Sequence, residues 1–196
     1  MAILAHPDDE SLGCGGILAR YADEGVEAHV LTATRGEAGR HGEGPHPGRD
    51  SLGRIREAEL RRAALELGVE TAEVLGYPDG ALDRADPREV IGRIVEHLRL
   101  VRPHVVVTFG PDGAYGHPDH IAVSQLAIAA VTCAADRDFE VGGETGAWRE
   151  DLPSHRVEKL YYVAWTAEAW DIYQETFKTL VSTVDGTIRQ ANPWPE

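Results

Sequence analysis

The sequence predicts a single-domain α/β protein with a mostly parallel, Rossmann-like sheet and helices on both faces. Short apolar runs, typical of buried parallel strands, alternate with stretches whose apolar residues recur at helical spacing. The chain has 196 residues, a length that suits one domain with a sizeable core. No internal repeat or low-complexity tract interrupts the alternation. We therefore treat residues 1–196 as one domain.

The first half of the chain predicts three strands and two helices. Gly25 and Gly68 stand where helix C-caps are expected. The segment that follows the second strand, residues 35–50, is rich in Gly, Pro and His and is predicted to be a loop. Pro78-Asp79-Gly80 predicts a turn after the third strand. The predicted strands cover residues 2–5, 28–34 and 72–75, and the predicted helices cover residues 17–22 and 52–67.

The second half continues the same alternation. HVVVTF at residues 104–109 is the clearest buried strand of the chain, and it lies between two predicted helices. The second of these helices, residues 121–135, is apolar nearly all round, so we expect it to be largely buried. A polar, glycine-rich segment at 136–157 is predicted to be a lid or a partner loop. The remaining predictions are a helix over 90–98, a strand over 159–165, a helix over 170–181 and a variable C-terminal part over 158–196.

Charge and cysteine content exclude several classes of protein. The formal net charge is −14, which disfavours nucleic-acid or anionic membrane partners. No apolar stretch approaches the roughly 20 residues of a membrane span, and no signal peptide is visible at the N-terminus. Cys14 and Cys133 are far apart in sequence, so we expect free thiols in a reducing compartment. A cytoplasmic protein is the resulting expectation.

Two motifs carry most of the chemical information: AHPDDE at residues 5–10 and YGHPDH at residues 115–120. Each directly follows a predicted strand. The carboxyl ends of parallel strands open onto one crevice, where ligands bind in folds of this class. We therefore expect the two motifs to be neighbours in space although they are distant in sequence.

Together the motifs supply the residues of a hydrolytic metal site. A catalytic site holds its ion with three protein ligands and leaves a position for water or substrate. His6 and Asp9 can reach one ion from the first motif, and His120 can supply the third ligand. Asp8 is then a free carboxylate beside the ion, suited to act as general base on an activated water.

The remaining polar residues near the motifs have supporting roles to fill. His117 and Tyr115 could hydrogen-bond the oxyanion of a tetrahedral intermediate, or His117 could protonate the leaving amine. Glu10, Asp112 and Asp119 could accept hydrogen bonds from the imidazoles and orient them.

Each motif taken alone has a plainer interpretation. A single HxxD or HxxH is a weak signal, and Asp8 could be only a helix N-cap. Gly13 to Gly16 faintly suggests a dinucleotide fingerprint, but the third glycine is missing at the required offset. Cys14 has no activating base near it in sequence. The joint occurrence of the two histidine motifs, each after a strand, favours the metal site.

These motifs resemble the PIG-L/LmbE-like family of zinc-dependent N-acetylglucosaminyl deacetylases. Besides AHPDDE and GHPDH, the similarity includes LGCGG at 12–16, TRGEAG at 34–39, REAE at 56–59 and PDG at 78–80. It covers roughly residues 2–135. The C-terminal part matches the family pattern poorly.

The resemblance implies a zinc-dependent amidohydrolase, with Fe²⁺ as the other compatible metal. It implies a small acylated amino sugar or conjugate as substrate and the same metal ligands and general base as above. It associates Arg56 with the distal part of the substrate, and it places Arg35 and Glu37 in a loop that lines the pocket. A homo-oligomer stays open.

Three functional hypotheses follow. The leading one is hydrolysis of an N-acyl, in particular N-acetyl, group from an amino-sugar substrate, which releases a free amine. The second is a non-haem Fe(II) oxygenase, because two histidines and one carboxylate are also its ligand set. Such enzymes need no further acid beside the ligands, so the pair Asp8-Asp9 favours hydrolysis. The third is an inactive carbohydrate-binding homologue, which the complete set of residues disfavours.

Overall fold

The computed structural model describes residues 1–41, 45–140, 152–164, 166–177, 181–184 and 187–190. Its centre is a five-stranded, all-parallel sheet with the strand order β3-β2-β1-β4-β5. Two further strands, β6 and β7, form a separate antiparallel pair. The predicted parallel α/β fold is therefore confirmed. The strands are β1 (Ala2–Leu4), β2 (His29–Thr34), β3 (Thr71–Tyr77), β4 (Val105–Phe109), β5 (Lys159–Val163), β6 (Val181–Val184) and β7 (Thr187–Gln190).

Helices connect the strands, and local signals mark their ends. Asp86 caps the fourth helix by accepting a hydrogen bond from the Arg88 N–H at 2.9 Å, and Pro87 occupies the first turn. Gly25 and Gly68 have positive φ angles of 83° and 68° just past the second and third helices, as predicted. The helices are α1 (Asp9–Leu12), α2 (Gly15–Asp23), α3 (Arg49–Glu66), α4 (Pro87–Val101), α5 (Gly113–Gly116), α6 (Pro118–Ala135) and α7 (Ala167–Phe177).

The strand order places the site. The chain runs from β1 outward to β2 and β3, then returns to the other side of β1 for β4 and β5. The loops after β1 and β4 therefore diverge at a topological switch point, which is where open α/β sheets bind ligands. Thr34 ties β2 to this edge, because its N–H and its hydroxyl both donate to the Ala5 carbonyl, at 2.9 and 3.0 Å.

The core lies between the sheet and the helices. Leu4 and Leu31 in the sheet and Ile94 and Leu98 on α4 are fully buried. Truncating such a side chain to alanine costs about 2–5 kcal/mol. None of the helices in the described ranges combines the length and the apolar character that a membrane crossing requires.

A buried arginine joins α4 to the end of α6. Arg99 is only 5% exposed, and its guanidinium donates to the carbonyls of Cys133, Ala134, Asp136 and Phe139. These include carbonyls at the end of α6, where the helix leaves its last acceptors without partners. The arrangement anchors the chain as it enters the segment that follows α6.

Several element boundaries differ from the predictions. The short helices α1 and α5, and the β6–β7 pair, were not predicted. β3 runs to Tyr77 rather than 75, and α3 begins at Arg49 inside the predicted loop. The prediction of a helix over 170–181 was wrong at its end, because α7 stops at Phe177 and Val181 begins β6. The sequence there is weakly periodic and contains β-branched residues, so helical spacing was a poor guide.

The predicted lid or partner loop at 136–157 lies largely outside the described residues, which omit 141–151. Its described ends pack against the domain. Val157 is buried, and the His155 N–H donates to the Ala134 carbonyl at 2.8 Å. The division into one domain with a variable part at 158–196 stays a prediction.

Candidate metal centre and active site

The loop after β1 is held by its own carboxylates. Asp9 Oδ2 accepts hydrogen bonds from the backbone N–H groups of Ala5 at 3.2 Å and His6 at 2.8 Å. Glu10 Oε2 accepts from the Asp8 N–H at 2.9 Å. Asp8 itself has φ 113° and ψ −27°, which is strained for a residue other than glycine. These bonds hold Asp8 and Asp9 in a fixed orientation at the edge of the sheet.

The loop after β4 approaches from the other side of the switch point. Gly113 has φ 63°, and a Cβ atom there would lie 2.9 Å from the Ile121 backbone nitrogen, so only glycine fits. His117 caps α6, because its Nδ1 accepts the Asp119 N–H at 3.2 Å. His120, one turn of helix further on, is 2% exposed and stacks on Phe109 with a centroid separation of 3.9 Å.

His6, Asp9 and His120 meet at one point. His6 Nδ1 lies 3.2 Å from His120 Nε2 and 3.7 Å from Asp9 Oδ2, and His120 Nε2 lies 3.5 Å from Asp9 Oδ1. Ligand atoms about 2.0–2.1 Å from a tetrahedral Zn²⁺ are roughly 3.3 Å apart, so this spacing suits a single cation. All three side chains are buried. The residues present therefore fit a divalent metal.

The opposite nitrogen of His6 faces two other carboxylates. His6 Nε2 lies 3.2 Å from Asp119 Oδ2 and 3.1 Å from Asp79 Oδ1. Asp119 also accepts the backbone N–H groups of Gly80 at 2.7 Å and Leu82 at 3.0 Å. Asp119 thus contacts an imidazole, as expected. Sequence reasoning missed Asp79, although the Pro78-Asp79-Gly80 turn follows β3 at the same edge of the sheet.

Two other groups of side chains in the described residues lie close enough to share an ion: His6 with His117 and His120, and His6 with Asp79 and Asp119. In the second group both oxygens of Asp119 already accept backbone N–H groups, from Gly80 and Leu82, whereas Asp9 accepts them on Oδ2 alone. In the first group His117 Nδ1 accepts a backbone N–H, which leaves its Nε2 facing the crevice. We take the pocket between His6, Asp9 and His120 as the candidate for the ion, because it adds a carboxylate to the two closely spaced histidines.

Electrostatics around the three residues reflect buried charge. Burial disfavours a charged His6, but the Asp119 and Asp79 carboxylates outweigh it and raise the His6 pKa to about 10. Burial raises the pKa of Asp9 to about 7 in spite of the nearby His6. Burial and the charge of His6 lower the pKa of His120 well below its usual range. In the metal-free protein, a proton on His6 supplies the positive charge that a bound cation would otherwise supply.

Asp8 lies beside this group and is paired with an arginine. Arg56 Nη2 donates to Asp8 Oδ2 and to the Pro7 carbonyl, both at 2.5 Å, and Nη1 donates to the Gly36 carbonyl at 2.8 Å. Burial raises the pKa of Asp8, and the Arg56 charge opposes that shift. A Cβ atom at position 36 would overlap the Arg56 guanidinium, which explains why the first glycine of TRGEAG is needed there. Arg56, expected to contact substrate, here binds the loops after β1 and β2.

The two other residues of the expected pocket wall follow β2. Glu37 Oε1 accepts the Asp79 N–H at 2.8 Å, and its buried Oε2 has no hydrogen-bond partner among the described residues. Arg35 is half exposed and pairs with Glu57 at 3.4 Å. Glu37 therefore contacts the turn that carries Asp79, whereas Arg35 is more exposed and pairs with α3.

The remaining expected residues are also near the two motifs. The Tyr115 ring packs edge-on against His120, with centroids 5.1 Å apart. Asp112 caps α5 by accepting the Ala114 N–H. Glu10 was expected to orient an imidazole. Its hydrogen bonds instead go to the Asp8 N–H and to the Ser11 hydroxyl, because the turn after β1 directs it toward its own backbone.

The cysteine near the first motif, Cys14, is an unreactive thiol. Cys14 is buried, and burial raises the pKa of its thiol to about 12. A thiol with so high a pKa is protonated at neutral pH and is a poor nucleophile. This agrees with the lack of an activating base near Cys14 in the sequence.

Known proteins share both the sequence pattern and the fold. A deacetylase of Kineococcus radiotolerans that acts on 1D-myo-inositol 2-acetamido-2-deoxy-alpha-D-glucopyranoside is 40% identical over 186 residues, covering 81% of this chain and 50% of the relative. The N,N'-diacetylchitobiose deacetylase of Pyrococcus horikoshii has a TM-score of 0.68 at 28% identity, covering 90% of this chain and 66% of that chain. The conserved protein TT1542 from Thermus thermophilus has a TM-score of 0.65 at 37% identity, covering 82% of this chain and 64% of that chain.

The chain spans half the length of the Kineococcus relative. The family model for GlcNAc-PI de-N-acetylase matches residues 1–131, which include both histidine motifs and every site residue discussed above. This match exceeds half of the chain, and it agrees with the parallel sheet and with the clustered histidines and carboxylates at its switch point. The chain belongs to the PIG-L family.

Proposed function

We propose that this chain is a metal-dependent N-deacetylase that acts on a small acetylated amino sugar or a conjugate of one. The observation that carries the proposal is the meeting of His6, Asp9 and His120 within 3.2–3.7 Å of one another, with Asp8 beside them. Relatives that deacetylate amino sugars support the reaction class. They do not support the oxygenase or the inactive sugar-binding protein.

His6, Asp9 and His120 would hold the metal through Nδ1, a carboxylate oxygen and Nε2, respectively. Nitrogen and carboxylate ligands in this number suit Zn²⁺, and Fe²⁺ is the other compatible ion. The chemistry that such a cation supplies is polarisation of the acyl carbonyl and a lower pKa for water. The protein contributes a buried, preformed set of ligands.

Asp8 is the proposed general base. Among the carboxylates next to the proposed ligands, Asp8 has a half-exposed side chain, whereas Asp79 and Asp119 are buried against His6. In the reaction it takes a proton from the attacking water as the new C–O bond forms. Arg56 holds the carboxylate in place through Oδ2, so that Oδ1 can face the water.

His117 is the proposed hydrogen-bond donor to the oxyanion. Because its Nδ1 accepts the Asp119 N–H, the proton of the neutral ring is on Nε2. A neutral ring in this orientation can donate to a developing negative charge. Losing that Nε2 proton would leave an imidazolate, so the geometry favours donation to the oxyanion over protonation of the leaving amine. Tyr115, packed on the histidines, would assist.

The substrate would be positioned by the residues that follow β2 and by α3. Glu37, which accepts the Asp79 N–H, would form part of the pocket wall. Arg56 and Arg35 would contact the more distant part of the substrate. As the amide C–N bond breaks, Asp8 passes the proton that it took from water to the leaving nitrogen, so the amine leaves neutral and Asp8 is regenerated. The acetyl group leaves as acetic acid, which ionises to acetate.

The test is release of primary amine. The zinc-loaded chain is incubated with 2-acetamido-2-deoxyglucosyl-inositol and with N,N'-diacetylchitobiose, and amine and acetate are measured in equal amounts. We expect turnover on at least one of them and none after the metal is removed with a chelator. Equal rates with and without chelator, or no amine from a panel of N-acetylated glycosides, would contradict the proposal.

A further inference from the structure

His6 is contacted on both sides of its ring. Its Nδ1 faces Asp9 and His120, and its Nε2 faces Asp79 Oδ1 at 3.1 Å and Asp119 Oδ2 at 3.2 Å. A carboxylate oxygen can only accept, so the ring proton belongs on Nε2. The lone pair on Nδ1 is then directed at the proposed metal position. The choice of tautomer is thus determined by two carboxylates, one of which belongs to no histidine motif.

Asp79 is itself held in place by the loop after β2. Its Oδ2 accepts the Ala38 N–H at 2.8 Å, and its own N–H donates to Glu37 Oε1 at 2.8 Å. The side chain is 8% exposed. Asp79 therefore connects the loop that carries Glu37 to the imidazole of His6.

The two carboxylates are used differently. Asp119 accepts two backbone N–H groups, from Gly80 and Leu82, and so also stabilises the turn after β3. Asp79 accepts one backbone N–H on Oδ2, and Oδ1 is directed at His6. Removing the charge of Asp79 consequently changes the environment of His6 with less damage to the backbone than the same change at Asp119.

We infer that Asp79 is a positioning residue, which keeps His6 in the Nε2–H tautomer and its Nδ1 directed at the metal. The inference rests on the metal centre proposed above. Carboxylates that orient a metal-bound histidine in this way typically contribute about 10–100-fold to metal affinity. The residue touches neither the proposed ion nor the reacting atoms.

The first experiment compares zinc affinity by competition with a chelator. Asp79→Asn keeps an oxygen for the Ala38 N–H but removes the charge next to His6, and we expect about 10-fold weaker binding. Asp83→Asn is the matched control, since Asp83 is exposed and pairs only with Arg84 at 3.7 Å among the described residues. It should bind zinc as the wild type does. Thermal melting of the metal-free proteins checks that both variants fold.

The second measurement needs no variant. Nitrogen-15 NMR of the zinc-loaded wild type distinguishes an imidazole bound through Nδ1 from one bound through Nε2. We expect His6 bound through Nδ1 with a protonated Nε2. Coordination through Nε2, or an Asp79→Asn affinity equal to that of the control, would overturn the inference. If the wild type binds no zinc at all, the proposed metal centre fails and this inference fails with it.

Discussion

Strands β1 and β4 and the edge strand β5 belong to one sheet but differ in what surrounds them. β1 is buried along its whole length, and polar side chains follow β1 and β4 in sequence. β5 leaves Tyr161 52% and Tyr162 37% exposed. Every residue assigned to the site lies between β1 and the start of α6. The comparison indicates that chemistry is concentrated where burial constrains each polar group, and that the edge tolerates change.

The largest effect should come from the proposed general base. Asp8→Asn removes the carboxylate that takes the proton from water, so we expect kcat to fall by about 10²–10⁴-fold. Zinc affinity should stay near the wild-type value, because Asp8 is not a proposed ligand. Steady-state amine release together with zinc titration checks both points. Retained turnover would remove Asp8 from the mechanism.

The next largest effect concerns Arg99, which anchors the end of α6, where the chain leaves the site-bearing part of the molecule and continues toward the edge strand β5. Arg99→Met removes the donor that four carbonyls share near the end of α6. We expect the free energy of unfolding to fall by about 3 kcal/mol, because a buried side chain loses four hydrogen bonds. Arg102→Met is the control, since its hydrogen bond to the Ser154 carbonyl is exposed. Chemical denaturation measures both. Equal losses would show that burial of Arg99 has no special importance.

Metal binding should release protons. In the metal-free protein the His6 pKa of about 10 keeps the ring charged at pH 7, and a bound cation must displace one of its two protons. Since the metal-free state binds the extra proton, zinc binding strengthens by about tenfold per pH unit from pH 7 until the pH approaches that pKa. Below pH 7 binding weakens more steeply, because Asp9, with a pKa of about 7, also takes up a proton. Calorimetry in buffers of different ionisation enthalpy should show at least one proton released. Affinity independent of pH between 7 and 9 would contradict the assigned charge state.

The smallest effect is expected at the edge strand. Tyr161→Ser should change the free energy of unfolding by no more than about 0.5 kcal/mol and leave kcat unchanged, because its side chain is half exposed. Thermal melting and amine release are sufficient measurements. A loss comparable to that of Arg99→Met would show that β5 is less tolerant than its exposure suggests.

The sheet and the meeting of the two motifs were predictable because both depend on local patterns. Apolar runs marked the strands, and the rule that ligands bind at the carboxyl ends of parallel strands brought His6 and His120 together. The predicted convergence is confirmed by their 3.2 Å separation. The roles of the individual site residues stay proposals.

What the sequence could not predict depends on tertiary partners. Asp79 is sufficiently explained as a turn residue, and only the placement of β3 beside β2 brings it to His6. Arg99 is an ordinary member of an amphipathic helix until α6 packs against α4 and presents its carbonyls. Arg56 was assigned to substrate, and its contacts with Asp8 and Gly36 required the loops after β1 and β2 to be adjacent. The prediction of the end of α7 was wrong for a different reason, because the spacing of apolar residues there is only weakly periodic.

The two-sided contacts of His6 have a consequence for motion. One imidazole contacts Asp9 from the loop after β1, Asp79 from the loop after β3 and Asp119 from the start of α6. Fixing that ring by capturing an ion therefore restrains three chain segments simultaneously. Amide hydrogen exchange at Gly80 and Leu82, which bond to Asp119 rather than to any proposed ligand, should slow when zinc is added. Zinc binding would then be detectable as slower amide exchange at residues that do not contact the ion.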